Sequence, residues 1–361
     1  MKFEIFQYEL PLILPIQVTQ TQINIRSGFI IRIWNEKNYS GFGEIAPLPS
    51  LHNETPDLAL QNLRDLQTIF IESEIPHYLD GLDGGFEKWF NGKEMLPSVR
   101  FGLEMAVLNL IANQNNQTLG SLLSKNFQKR MDLNGLVSGN KNQIIQQVER
   151  LIQEGYQTIK FKVGRKSVEE DIQSVREVKK IVNNETRLRF DANRNWSLPD
   201  AIQFGKAIGY ENIEYIEEPL SDISKLDIFY DQTGIPIALD ESLQDIPMKD
   251  LENIKGLKTF VIKPSLMGGF ERSMEFIQFG KVHNIYSVIS STFESCIGLT
   301  SLADFASSLN PGDVAMGLDT HKWFKEDLLE NGFHSNHGKV DIELLRESSK
   351  LVRQELLKNI T

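Results

Sequence analysis

The chain has 361 residues, 40% of them apolar, which is enough for a sizeable core and for more than one ordinary domain. Its net charge of −11 provides no basic stripe for nucleic acid and disfavours an anionic membrane surface. A lone cysteine, Cys296, excludes an internal disulfide framework and fits a reducing cytosol, so a cytoplasmic protein is expected.

Residues 1–10 and Gly28–Trp34 read as antiparallel strands, and Gly41-Phe42-Gly43-Glu44 as a turn into another. Glu4, Glu9, Pro11 and Pro15 interrupt the apolar start, so no signal peptide is expected, and no 18-residue apolar run exists to span a bilayer. Thr55-Pro56 opens a helix over Pro56–Glu72. A second helix is predicted over Ser98–Asn113, with Phe101, Met105, Leu108 and Leu110 on one broad face.

From Leu133 onward strand and helix alternate. The stretches 133–139, 158–164, 187–193, 214–220, 236–242, 259–265 and 286–292 each precede a helical segment, and 313–320 ends the series. Eight strands and seven helices predict an α/β fold, a (β/α)7β TIM-like barrel over 121–320. An α+β capping domain is expected over 1–120, completed by the C-terminal tail 321–361.

Five charges sit at the ends of successive strands: Lys162, Asp191, Glu217, Asp240 and Lys263, at gaps of 29, 26, 23 and 23 residues. One strand, one helix and two loops need about that interval, roughly 25 residues. A charge at the C-terminal tip of each strand is how a parallel barrel builds an active site. Alternation supports this: Ile159, Phe161, Leu188, Phe190, Phe260 and Ile262 point one way, and Lys160, Lys162, Arg189, Asp191 and Lys263 the other. Glu217 and Glu218 are adjacent, and the alternation lets only one of them point inward.

Three carboxylates converging on one point repel, and a hard cation such as Mg²⁺ resolves the repulsion. Lys162 and Lys263 would flank that site. An ammonium beside a metal and a second lysine has its pKa lowered toward the range of a general base. The pair suits removal of a proton α to a metal-bound carboxylate. The competing reading is that these lysines simply neutralise the acids or form a Schiff base; a Schiff-base lysine would not need three acids beside it.

The set Lys160-Phe161-Lys162, Asp191-Ala192-Asn193, Glu217-Glu218-Pro219, Asp240-Glu241-Ser242 and Lys263-Pro264 resembles the enolase superfamily, in its muconate-lactonizing subgroup. The resemblance implies Asp191, Glu217 and Asp240 as Mg²⁺ ligands, taking the first glutamate of the pair, and Lys162 and Lys263 as acid/base lysines. It implies Asn193 and Glu241 as groups that orient the ligands. Lys160 and Arg189 share the inward parity and would contact substrate or buttress the carboxylates.

The last two strands, Ile289–Leu299 and Gly317-Leu318-Asp319-Thr320, resemble those of o-succinylbenzoate synthases of the menaquinone pathway, as does 189–196. Ser290, Ser291 and Gly317 are therefore candidates for contact with substrate or its surroundings. The implied reaction is syn dehydration of 2-succinyl-6-hydroxy-2,4-cyclohexadiene-1-carboxylate through an enediolate. Lys162 would serve as base and then acid, with Lys263 on the opposite face. Three carboxylates, two lysinium groups and Mg²⁺ sum to about +1, which favours a small anionic carboxylate substrate. Segments Pro15–Gln22 and Glu44–Leu48 are candidate lids.

The alternative is a racemase of N-acylamino acids or another epimerase or cycloisomerase of the subgroup, and more remotely a non-catalytic binding barrel. Dipeptide epimerases usually carry Asp-x-Asp on the eighth strand, whereas this chain has the single Asp319. Gly41-Phe42-Gly43 lacks the third glycine of a dinucleotide fingerprint. The histidines His52, His77, His283, His321, His334 and His337 form no zinc-protease pair; His334 and His337 are expected at the surface, and Cys296 as a packing residue.

Overall fold

The computed structural model describes residues 2–18, 21–70, 74–76, 79 and 81–361. His77, residues 71 and 72 of the expected first helix, and Thr19 and Gln20 of the expected lid lie outside these. The chain opens with three antiparallel strands, β1 (Lys2–Val18), β2 (Thr21–Trp34) and β3 (Ser40–Ile45). Gly41 and Gly43 are not in a turn but inside β3. There the helix Pro97–Gln114 crosses the sheet so closely that a Cβ on Gly41 would fall onto the carbonyl oxygen of Ala106, and one on Gly43 onto that of Gly102. That helix is not amphipathic as expected. It is buried almost all round, Ser98 through Leu108 without a break, because it is sandwiched between this sheet and the barrel.

After a short strand β4 (Arg130–Asp132), a parallel sheet takes its strands in sequence order. These are β5 (Asn134–Val137), β6 (Thr158–Lys162), β7 (Arg187–Asp191), β8 (Ile213–Glu217), β9 (Ile237–Leu239), β10 (Leu257–Ile262) and β11 (Tyr286–Ile289). Side-chain caps start several connecting helices: Asn140, Ser167, Ser197 and Ser295 each accept a backbone N–H, worth about 1 kcal/mol apiece. The helix after β9 is the outlier, a single turn at Met248–Leu251.

The eighth strand is much shorter than expected. Met316 bridges Leu133 and Gly317 bridges Ser290, and the bonds Asn134 N–H to Met316 O and Gly317 N–H to Ile289 O, both 2.9 Å, close the ring. A Cβ on Gly317 would stand 2.6 Å from Ser290 Oγ, so any larger residue here would force the Ser290 side chain to move. The chain then turns into a 3₁₀ helix at Asp319–Trp323. The tail pairs twice with earlier segments, Lys339–Asp341 with β4 and Lys358–Asn359 with the outer edge of β1.

Two buried polar joints fix the N-terminal sheet and its helices on the barrel. Arg100 lies between Glu104 (2.8 Å), Glu271 (3.1 Å) and Glu87 (2.6 Å), and Glu271 also accepts the N–H groups of Gly84, Phe86 and Glu87. Glu44 of β3 accepts the Tyr8 hydroxyl, Ser295 N–H and Oγ–H, and Gly298 N–H, so it caps the barrel helix Cys296–Ser308. Among the described residues no helix is long and apolar enough to cross a membrane.

Candidate active site

Strand pairing sets the level of each charge. Lys162 pairs with Asp191 and Asp191 with Glu217, so the three stand in one row across β6, β7 and β8. Asp240 and Lys263 are the first residues beyond β9 and β10. Ile159, Phe161, Leu188, Phe190, Phe260 and Ile262 are buried on the opposite face, as the alternation requires.

Lysines and acids interlock at this end of the barrel. Lys160 Nζ lies 2.6 and 2.8 Å from the two Glu217 oxygens and 3.2 Å from Asp191 Oδ2. Lys162 Nζ donates to Asp191 Oδ2 at 2.6 Å and to Asn193 Oδ1 at 2.8 Å, and Lys263 donates to Asp240. Asn193, in the left-handed region at φ 45°, sends its N–H to Asp191 Oδ1 at 3.1 Å and its amide to Glu241 Oε1 at 3.0 Å. It therefore orients two carboxylates and one lysine at once.

Charges in this row shift one another strongly. Burial and the neighbouring Asp191 push Glu217 up to about 8. Burial and Asp240 push Glu241 up to about 7. Asp191 goes the other way: burial opposes ionisation, but Lys160 and Lys162 outweigh it and hold the carboxyl well below its usual range. Burial alone would lower Lys263, yet Asp240, Glu241 and Glu217 more than offset it, and Lys263 ends raised. The expected depression of the lysine pKa concerns the site with Mg²⁺ bound, where the cation would offset these acids.

The structure separates the two adjacent glutamates. Glu217 points into the barrel, while Glu218, at φ 44°, turns away. Glu218 accepts Asp240 N–H (2.9 Å), Ser242 N–H (2.7 Å), Ser242 Oγ–H (2.6 Å) and Arg194 (3.1 Å). It thus holds the turn that presents Asp240 and Glu241, a role that adjacency in sequence does not reveal.

Arg189 does not reach the mouth. It pairs with Lys160, one layer deeper, and its guanidinium is committed to Glu214 (2.8 and 3.2 Å), Asn134 (3.0 Å) and the Ala315 carbonyl (2.8 Å), over the Tyr215 ring. It braces the barrel where the eighth strand closes. Ser290 Oγ donates to Gly317 O at 3.3 Å, and Ser291 Oγ meets Thr320 Oγ1 at 2.7 Å, so these hydroxyls tie the seventh exit to the eighth. Asp319 is bound to Tyr156 (2.7 Å) and Lys322 (3.3 Å). Cys296 is buried with its sulfur accepting Leu329 N–H at 3.1 Å, and His334 and His337 are exposed. A cavity of about 530 Å³ lined by Tyr156, His321, Lys322 and Phe333 contains none of the strand-end residues.

The expected metal site is present as a donor set rather than a converged cage. Among the described residues no three acids stand close enough together to share an ion, because Lys160 lies between Asp191 and Glu217 and Lys263 lies against Asp240. The chemistry still fits a hard cation. Three buried carboxylates end adjacent strands, burial and Asp191 raise Glu217, and among the described residues Glu241 Oε2 is buried without a hydrogen-bond partner.

The candidate lids reach across this end. Arg165, just past β6, approaches the Gln17 carbonyl at 3.5 Å, and Thr21 is bonded to Ser50 at 2.7 Å. Glu44 is no lid, since it is locked at the barrel joint. Arg26 and His52, to which the sequence assigns no role, are buried beside the mouth; a single polar residue in an N-terminal strand or loop carries no periodic signal.

A closed parallel barrel with acids on three strand ends, lysines on either side and an antiparallel sheet packed over it defines an enolase-type barrel enzyme. Residues 143–344 match the family model "Enolase C-terminal domain-like", and residues 1–110 match "MenC, N-terminal domain". An o-succinylbenzoate synthase of Yersinia pseudotuberculosis is 31% identical over 88% of this chain and 89% of its own length. Chloroplastic PHYLLO of Arabidopsis thaliana is 33% identical over 85% of this chain, which spans only 20% of that longer protein. Similar solved folds include the L-Ala-D/L-Glu epimerase of Bacillus subtilis (TM-score 0.82, 22% identity, 94% of this chain, 96% of that one). Another is a dipeptide epimerase of Enterococcus faecalis complexed with Mg and L-Leu-L-Tyr (TM-score 0.82, 21% identity, 94% and 96%). The chain belongs to the o-succinylbenzoate synthase family of the enolase superfamily.

Proposed function

We propose that this protein is an Mg²⁺-dependent, cytoplasmic o-succinylbenzoate synthase, a hydro-lyase that aromatises 2-succinyl-6-hydroxy-2,4-cyclohexadiene-1-carboxylate in quinone biosynthesis. The observation that carries the reading is the row Lys162–Asp191–Glu217, continued by Asp240 and Lys263, in a chain 31% identical to named synthases over nearly its whole length. Asp191, Glu217 and Asp240 would hold Mg²⁺, which supplies positive charge to the substrate carboxylate.

Lys162 takes the proton α to that carboxylate, and the C–H electron pair moves into the carboxylate-stabilised carbanion. The C–O bond then breaks, the hydroxyl leaves as water with the proton returned by Lys162, and the electron pair completes the aromatic ring. One lysine suffices because both groups leave from one face. Lys263, four strands along the sheet, supplies positive charge from the other side. Asn193 keeps Lys162 and Asp191 in register throughout.

Asp319, the residue an epimerase would turn to a substrate ammonium, is committed to Tyr156 and Lys322. Purified protein given the cyclohexadiene should show growth of aromatic absorbance. Exchange of the α-proton of an N-acylamino acid in D₂O, with no dehydration of the cyclohexadiene, would replace this reading by the racemase.

A further inference from the structure

One buried donor at the mouth has no task in the fold. His52 closes the turn Leu48–His52, in which its N–H donates to Leu48 O at 2.9 Å and Leu48 N–H donates back to Nδ1 at 3.0 Å. Since Nδ1 accepts, the proton of the neutral ring sits on Nε2. The residue is 7% exposed, and Nε2 is buried without a hydrogen-bond partner among the described residues. The Ser265 backbone, two residues beyond Lys263, lies near enough to bias the ring but makes no bond of sound geometry. Burial and the positive charges of Arg26 and Lys263 push the imidazole down to about 3, which keeps it neutral.

Arg26 adds a second, independent sign. It is 1% exposed, and its hydrogen bonds all go to neutral carbonyls: Phe293 (2.9 Å), Ser27 (3.0 Å), Pro47 (3.3 Å), Thr292 (3.4 Å) and Ala46. Among the described residues it forms no ion pair with a carboxylate. All five N–H donors of Arg26 are thus filled and it can offer an incoming group only its charge, which favours an anion where the buried His52 Nε2–H lacks an acceptor.

We propose that His52 is a specificity-determining residue whose Nε2–H donates to the terminal carboxylate of the substrate's succinyl arm, in the field of Arg26 and Lys263. This rests on the o-succinylbenzoate synthase reading. It places the arm under the turn 48–52, leaving the ring carboxylate to the strand-end acids and lysines.

Calorimetric binding of o-succinylbenzoate and of benzoate, which lacks the arm, to the Mg²⁺-supplemented enzyme tests it. In His52→Leu the preference for o-succinylbenzoate over benzoate should fall on the order of 10- to 100-fold, the worth of a hydrogen bond to a charged group. Benzoate affinity should hold, His52→Gln should recover much of the loss, and KM should change more than kcat. An unchanged preference in His52→Leu overturns the role. So does an equal loss for both ligands, or failure of both His52→Leu and His52→Phe to fold, since either assigns the ring to packing. If wild-type protein neither binds o-succinylbenzoate nor turns over the cyclohexadiene, the enzymatic reading itself falls, a result distinct from the others.

Discussion

Two buried ionic clusters lie in this molecule and behave in opposite ways. At the joint between the N-terminal helices and the barrel, Arg100 satisfies Glu87, Glu104 and Glu271 together, and Glu271 also receives three backbone N–H groups. At the mouth, long lysines reach the acids from neighbouring strands, Glu241 Oε2 has no hydrogen-bond partner among the described residues, and burial leaves Glu217 with its carboxyl raised. Saturated charges on rigid backbone donors hold parts together. Unsaturated charges on flexible arms are available to a cation and a substrate.

The largest effect that sharpens this contrast is at Lys162. Lys162→Ala should lower kcat by at least about 10³-fold through loss of the base, with little change in thermal stability, because the side chain is partly exposed. Residual turnover near wild type would remove Lys162 from its role. Arg100→Met should do the reverse. It strands Glu104 and Glu271 in the interior and should cost about 3–5 kcal/mol of stability in urea unfolding, while kcat of the folded fraction stays near wild type. A loss of kcat without a loss of stability would break the comparison.

The smallest effect concerns pH. Burial raises Glu44 from 4.5 to about 7, so between those values the folded state binds more protons than the unfolded one. Stability attributable to this group is therefore full below pH 4.5 and lost as pH rises toward 7. Glu44→Gln should flatten that part of the stability curve between pH 5 and 7.5, measured by urea midpoints. An unaltered slope would show that Glu44 stays ionised throughout.

Much of this was legible in the chain because the barrel repeats itself. The ends of β6 to β10 recur at similar intervals with the same in–out alternation, so Lys162, Asp191, Glu217, Asp240 and Lys263 stand out without coordinates. What escaped depends on contacts between distant segments. Gly41 and Gly43 look like turn residues until the helix Pro97–Gln114 is laid against them. Glu217 and Glu218 are chemically identical, and only the backbone turn at Glu218 separates their roles. The eighth strand reads as eight residues but pairs through two, because Asp319 already starts a tighter helix. The pairing of Lys263 with Asp240 likewise depends on side-chain reach that spacing alone does not show.

If the acids at the ends of β7, β8 and β9 bind Mg²⁺, the lysines depend on that cation to carry out dehydration. Turnover of the cyclohexadiene should be measured after EDTA treatment and again after Mg²⁺ is restored. Growth of aromatic absorbance should stop with EDTA and return with Mg²⁺ in wild type but not in Asp240→Asn. Turnover undiminished by EDTA, or equal in the two proteins, would contradict this dependence.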